Sequence, residues 1–235
     1  MFGATGPATK ALQQVPFFSG LGKEDAEALA RRLVPRRFGV DQIIFHHGDP
    51  GGLLYIITSG KVKISYSMPD GQEALLAILG AGDFFGELAL LDEAPRSATA
   101  EAMEQTETLT LHRDDFINHI GQNPEFAYHV MRTLTKRIRH LNDQISDVFF
   151  LDLNGRLART LLNLAENHGR PVAEGTLIDI ALTQTDLAEM TGATRVSINK
   201  TLGRFRRARW VGLRGRRLIL LDIPALRELI HLAGG

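Results

Sequence analysis

The chain has no cysteine. Disulfides, thiolate-ligated zinc and iron–sulfur clusters are therefore excluded. No apolar run approaches the roughly 18–20 residues of a membrane-spanning helix. Residues 1–14 lack a basic segment followed by an apolar core, so they do not read as a secretory signal. The expectation is a cytoplasmic protein with no membrane partner. Spacings typical of a hydrolase are also missing. His46 and His47 stand beside a turn with no third ligand nearby, and read as solvated surface histidines rather than a metal site. No catalytic residue and no metal is expected, and the chain does not read as an enzyme.

What is present divides into two unlike parts. Its 235 residues suffice for one large domain or two modest ones, and 44% apolar and 23% charged content is ordinary for a soluble globular protein. Net charge is zero, with 27 Lys and Arg against 27 Asp and Glu, but it is unevenly spread. Residues 1–149 carry 14 basic against 19 acidic side chains, and residues 150–235 carry 13 against 8. From Arg195 to Arg217 there are nine basic residues and no acidic one. This asymmetry points to a polyanion-binding C-terminal part.

From about residue 36 to 110, short apolar or alternating runs are broken by turn residues, the pattern of a β-sandwich or barrel. Residues 69–71 (Pro-Asp-Gly) read as a hairpin turn, since Pro presets φ and Gly accepts a positive one. A small helix is expected over residues 23–33. Asp114 or Asp115 opens a helical region, and Pro124 starts a longer helix. Along it Val130, Leu134, Ile138, Leu141, Ile145 and Val148 recur as an a/d seam flanked by charges. So narrow a seam seeks a partner: a second copy in a parallel coiled coil, or the same chain's β-structure. The domain junction falls near Leu151 and Asp152.

Beyond it an amphipathic helix over residues 154–166 is followed by a Gly/Pro-rich loop (169–175) and a strand (177–180). Thr183 caps the next helix with Asp186 at N3. Ala188 permits a close crossing, and Gly192 a left-handed turn. Thr194 caps a second helix, with Val196, Ile198, Leu202 and Phe205 available for packing. That is a helix-turn-helix, and residues 210–221 read as a β-hairpin wing turning near Gly215.

The segment from 82 to 100 carries the most chemistry. Arg96 supplies a planar cationic fork, Ser97 a hydroxyl, and a short helix after Gly86 free backbone N–H groups, all suited to a phosphodiester. Glu87 on the same loop is an acceptor for a ribose hydroxyl.

This string resembles the phosphate-binding cassette of the CRP/FNR family of bacterial transcription regulators, and the C-terminal block resembles that family's winged helix. The pattern is most like that of the cyclic AMP receptors, and the resemblance covers nearly the whole chain. It implies an α+β fold: a jelly-roll-like cyclic-nucleotide-binding β-roll with flanking helices (1–123), a dimerisation helix and hinge (124–151), and a winged helix-turn-helix DNA-binding domain (152–235). It further implies a homodimer through residues 130–148, double-stranded DNA as partner, and contact with RNA polymerase.

Carried over by position, Gly86 permits close approach of a nucleotide and Glu87 accepts its ribose 2′-hydroxyl. Leu88 fills the local core and offers an N–H. Arg96 pairs with the cyclic phosphate, Ser97 donates its hydroxyl, and Ala98 a backbone N–H. In the cyclic AMP receptors a Thr followed by Ser or Asn reaches the adenine from the seam. Here Leu141 and Asn142 stand there; Asn142 can hydrogen-bond a base edge and Leu141 can only pack. Cyclic AMP is the expected ligand, with cyclic GMP, another cyclic nucleotide, or DNA binding without nucleotide as alternatives. In the recognition helix the resemblance assigns Arg195 and Lys200 to guanine, and Val196 to a thymine methyl or nothing. Thr183, Ser197, Asn199, Arg204, Arg206 and Arg207 read as phosphate contacts or helix-face solvation rather than base readers, and the capping Thr194 joins the DNA-binding set. The wing arginines Arg214, Arg216 and Arg217 are placed over the DNA backbone.

Overall fold

The structure, a computed structural model, describes residues 18, 22–67 and 73–231. The turn expected at 69–71 and the N-terminal residues 1–14 lie outside them. The chain forms two compact units, residues 1–138 and 139–235.

The first unit is built on eight described strands: β1 (Val34–Phe38), β2 (Ile43–Phe45), β3 (Leu53–Ser59), β4 (Val62–Ser67), β5 (Glu73–Leu79), β6 (Phe84–Phe85), β7 (Thr99–Ala102) and β8 (Thr106–His112). They form two four-stranded sheets, ordered β1-β8-β3-β6 and β2-β7-β4-β5, antiparallel throughout. Strand β3 reads as a continuous apolar run because both of its faces are covered. Alternation sends Leu54 and Ile56 into one core with Phe84, Leu90, Phe116 and Phe126. Tyr55 and Ile57 enter another with Val62, Phe85 and Ala100. Helices α1 (Lys23–Ala30), α2 (Leu88–Leu91) and α3 (Arg113–Gln122) complete the unit with the first half of α4 (Pro124–Phe150).

Pro124 opens α4, where its missing N–H costs nothing, and Asn123 Oδ1 accepts from the Phe126 N–H at 3.0 Å. The apolar seam of α4 does not act as one stripe. Val130 is 4% exposed inside the β-roll core, with Leu134 packed against it. Ile138, Leu141, Ile145 and Val148 are all more than half exposed. The expectation of a partner-facing seam from 130 is corrected: its first two positions pack on their own unit.

In the second unit, α5 (Leu153–His168) is capped by Asp152, whose carboxylate accepts from the Gly155 N–H at 2.9 Å. Strands β9 (Gly169–Val172), β10 (Gly175–Ile178), β11 (Val211–Arg214) and β12 (Arg217–Leu220) form a sheet ordered β11-β12-β10-β9. The loop expected over 169–175 is thus partly a strand. Pro171, opposite Thr176, is tolerated because β9 lies at the sheet edge. Helices α6 (Gln184–Thr191), α7 (Arg195–Arg207) and α8 (Ile223–His231) follow. Leu157, Leu161, Ile198, Phe205, Ile178 and Leu226 are buried among them.

Candidate functional site

The cassette is assembled where β6 ends. Gly86 has φ +82°, a conformation open to glycine. A Cβ there would stand 2.5 Å from Arg96 Nη1. The glycine is required by the close approach of the guanidinium. Arg96 is 4% exposed. Its Nη1 donates to the Gly86 carbonyl at 2.8 Å and its Nη2 to the Leu53 carbonyl at 2.9 Å, while the group lies 4.3 Å above the Phe45 ring. Its backbone is tied to the 46–49 turn, with Arg96 N bonded to Asp49 O and Gly48 N to Arg96 O. Burial pulls the Arg96 pKa below the usual guanidinium range, opposed by Tyr55, Glu87 and Asp49. Its Nε is buried with no acceptor. A buried orphan donor on a cation is what an incoming anion would satisfy, so the residues present fit a phosphodiester.

Glu87 is also buried, at 5% exposed. It pairs through Oε1 with Arg137 Nη1 of α4. Arg137 Nη2 bonds the Phe84 carbonyl at 2.8 Å, and the guanidinium sits 4.2 Å over the Phe84 ring. Arg137 was not singled out from sequence, where it is one of several cations flanking the seam. Ser97 is exposed and Ala98 buried. Leu88 does not fill the core as expected: it is 46% exposed, because it is the first residue of a one-turn helix whose inward positions are Ala89 and Leu90. Leu141 and Asn142 are both exposed on the part of α4 that belongs to the second unit.

In the second unit the capping expectations hold. Thr183 and Asp186 form a reciprocal capping box at α6, Gly192 takes φ 61°, and Thr194 Oγ1 accepts from the Ser197 N–H at 3.2 Å. Along α7, Ile198, Thr201, Leu202 and Phe205 face inward. Arg195, Val196, Asn199, Lys200 and Arg204 face solvent. Val196, expected among the packing residues, is 79% exposed, since it lies off the stripe that buries Ile198. Arg204 is held by Asn154 Oδ1 at 2.9 Å. Two of the nine unopposed cations find counter-charges from outside their stretch. Arg214 bonds both carboxylate oxygens of Glu174 at 2.8 Å, and Arg217 lies 3.1 Å from Asp179. Arg195, Lys200, Arg206, Arg207, Arg209 and Arg216 are exposed.

Residues 35–123 match the family of cyclic nucleotide-binding domains, and residues 155–229 the Crp-like helix-turn-helix domains. The chain is 36% identical over 215 residues to a CRP-like cAMP-activated global transcriptional regulator of Mycobacterium tuberculosis, covering 92% of this chain and 96% of that protein. It is 33% identical over 187 residues to the cyclic AMP receptor protein of Thermus thermophilus, covering 80% and 83%. Among solved structures, the c-di-GMP-responsive global regulator CLP of Xanthomonas campestris aligns with a TM-score of 0.73 at 25% identity, over 85% of this chain and 99% of that one. Both halves of the chain and its overall likeness agree: it belongs to the CRP/FNR family of transcription regulators, DNA-binding proteins rather than enzymes.

Proposed function

We propose that this regulator responds to cyclic AMP, and that nucleotide binding in the cassette controls DNA binding by a homodimer. The observation that carries the reading is the buried Arg96, held against the Gly86 carbonyl with an unsatisfied Nε, beside the buried carboxylate of Glu87. Arg96, the Ser97 hydroxyl and the Ala98 N–H bind the cyclic phosphate, Gly86 and Leu88 line the approach, and Glu87 accepts the ribose hydroxyl. Asn142, with Leu141 packing beside it, faces the base. The domains are a nucleotide-binding β-roll (1–123), a dimerisation helix with hinge (124–151) and a DNA-binding domain (152–235). Two copies of α4 associate through the exposed seam from Ile138 to Val148. This sets two α7 helices about 34 Å apart, one DNA turn, on a two-fold site. Arg195 and Lys200 read guanine, and Val196 contacts a thymine methyl. Thr183, Thr194, Ser197 and Arg204 lie along the phosphates. The dimer works in the cytoplasm and engages RNA polymerase.

A second reading keeps the fold and changes the input. Arg96 and Glu87 already hold partners within the chain, and Leu141 offers no hydrogen bond to a base, which suits a regulator that binds DNA without nucleotide or answers another ligand. Calorimetry with cyclic AMP, cyclic GMP and a cyclic dinucleotide, with and without operator DNA, separates the two. Linkage requires that DNA tighten binding of the true effector by the factor that the effector tightens DNA binding. Equal cyclic AMP affinity in both conditions would overturn the coupling, and Arg96→Ala serves as the control that loses nucleotide.

A further inference from the structure

Gln184 is the first residue of α6, and Asn199 lies one turn into α7 on its exposed side. Gln184 Nε2 donates to Asn199 Oδ1 at 2.8 Å. Asn199 stands four residues after Arg195 and three after Val196, so the three share one helix face. An unrestrained Asn offers a donor and an acceptor together, the pattern that matches adenine N7 and N6 in the major groove. Here Asn199 Oδ1 is turned toward Gln184, which sets Nδ2 on the opposite branch of the planar amide, away from Gln184.

Gln184 and Asn199 line a cleft of about 520 Å³ with Arg195, Arg206 and Arg216, on the side of the unit that carries the exposed cations of α7.

We propose that Gln184 is a positioning residue that fixes Asn199 as a hydrogen-bond donor toward the major groove. Position 199 then selects a base presenting an acceptor there, such as guanine O6 or N7 or thymine O4. It rejects cytosine, whose edge presents the N4 donor. This moves Asn199 from the phosphate contacts to the base readers. It rests on the proposed placement of α7 in the groove.

The test is selection from random DNA by the full-length protein with cyclic AMP present, followed by competition binding at each base pair of the recovered site. Wild type disfavours cytosine at one pair. In Gln184→Glu the carboxylate can only accept, so Asn199 must turn Nδ2 inward and Oδ1 outward. Preference at that pair then inverts toward cytosine by about tenfold, while the added negative charge lowers affinity for all sequences alike. Gln184→Met abolishes the preference at that pair without inverting it. Trp210 fluorescence during unfolding verifies that the second unit of each variant is folded. Variants that weaken every sequence equally and change no base preference would overturn the inference while leaving the groove placement intact. Failure of the wild type to recover any sequence motif would overturn the placement, and this inference with it.

Discussion

Removing Arg137 should destabilise the first unit by more than a surface ion pair can explain. Glu87 and Arg137 side chains are 6% and 36% exposed. Breaking a fully buried pair costs about 3–5 kcal/mol, and an exposed pair contributes at most about 1. With one end buried and the other half in water, about 2 kcal/mol is expected. Arg137→Ala also leaves the Phe84 carbonyl unbonded, about 1 kcal/mol, and removes the contact over the Phe84 ring, about 0.5–1 kcal/mol. The total is about 3.5–4 kcal/mol. Glu87→Gln retains an acceptor and should cost about 1 kcal/mol. In the double variant no charge is left orphaned, so the two losses should fall short of additivity by about 1–2 kcal/mol.

A two-unit chain need not unfold in one step, so the probe must report the correct unit. All three tyrosines (Tyr55, Tyr66 and Tyr128) lie in residues 1–138, and the sole tryptophan, Trp210, in residues 139–235. Tyrosine near-ultraviolet dichroism in urea therefore follows the cassette unit. With a urea dependence of about 1–3 kcal/mol per molar, Arg137→Ala should lower its midpoint by about 1–4 M. A coupling below about 0.5 kcal/mol in the double-mutant cycle would refute the argument that the buried carboxylate depends on Arg137.

Other outcomes follow from single positions. Gly86→Ala combines a left-handed backbone cost of about 1–2 kcal/mol with a Cβ 2.5 Å from Arg96 Nη1; urea unfolding should show a loss of about 3 kcal/mol, and calorimetry the loss of cyclic AMP binding. Val130→Asp should unfold the first unit, whereas Leu141→Asp should leave both units folded and turn the dimer into monomers in analytical ultracentrifugation. A monomeric wild type, or a dimeric Leu141→Asp, would contradict the proposed seam. The Asp152 carboxyl is held below its usual pKa, first by the Gly155 N–H. A depressed folded pKa means stabilisation present above the unfolded value near 3.9 and lost as pH falls through the folded one. Asp152→Ala should thus cost about 1 kcal/mol at neutral pH, with the gap to wild type closing in acid; Trp210 fluorescence measures it, and a gap independent of pH would exclude the carboxylate charge as its source.

The legibility of this chain followed the range of its interactions. Glu87 and Arg96 were legible because the chemistry of the cassette is written within ten residues. The capping box of Thr183 and Asp186 is closer still. Arg137 was not, since it meets Glu87 across fifty positions and its neighbours Lys136 and Arg139 look alike in sequence. Leu88 was misread because an apolar residue carries no mark of which side of a single helical turn it occupies. Pro171 was read as loop because proline breaks a ladder, but an edge strand has one side on which the missing N–H is not needed. Gln184 gave no signal at all; its partner Asn199 is fifteen residues away, on another helix.

The same limit explains the seam of α4 and turns it into a physical statement about signalling. A heptad pattern specifies an apolar stripe and says nothing of what covers it. Here the cover changes along the helix: Val130 and Leu134 are taken by the β-roll core, and from Ile138 onward the stripe is bare. Arg137, which holds the Glu87 carboxylate, immediately precedes that change. A ligand hydroxyl competing for Glu87 would act on a residue of α4 anchored to the cassette, next to the first turn of the seam proposed to meet a second copy. On the proposed reading no long relay is needed between nucleotide and dimer contact, because Arg137 and the start of the exposed stripe at Ile138 are adjacent on one helix.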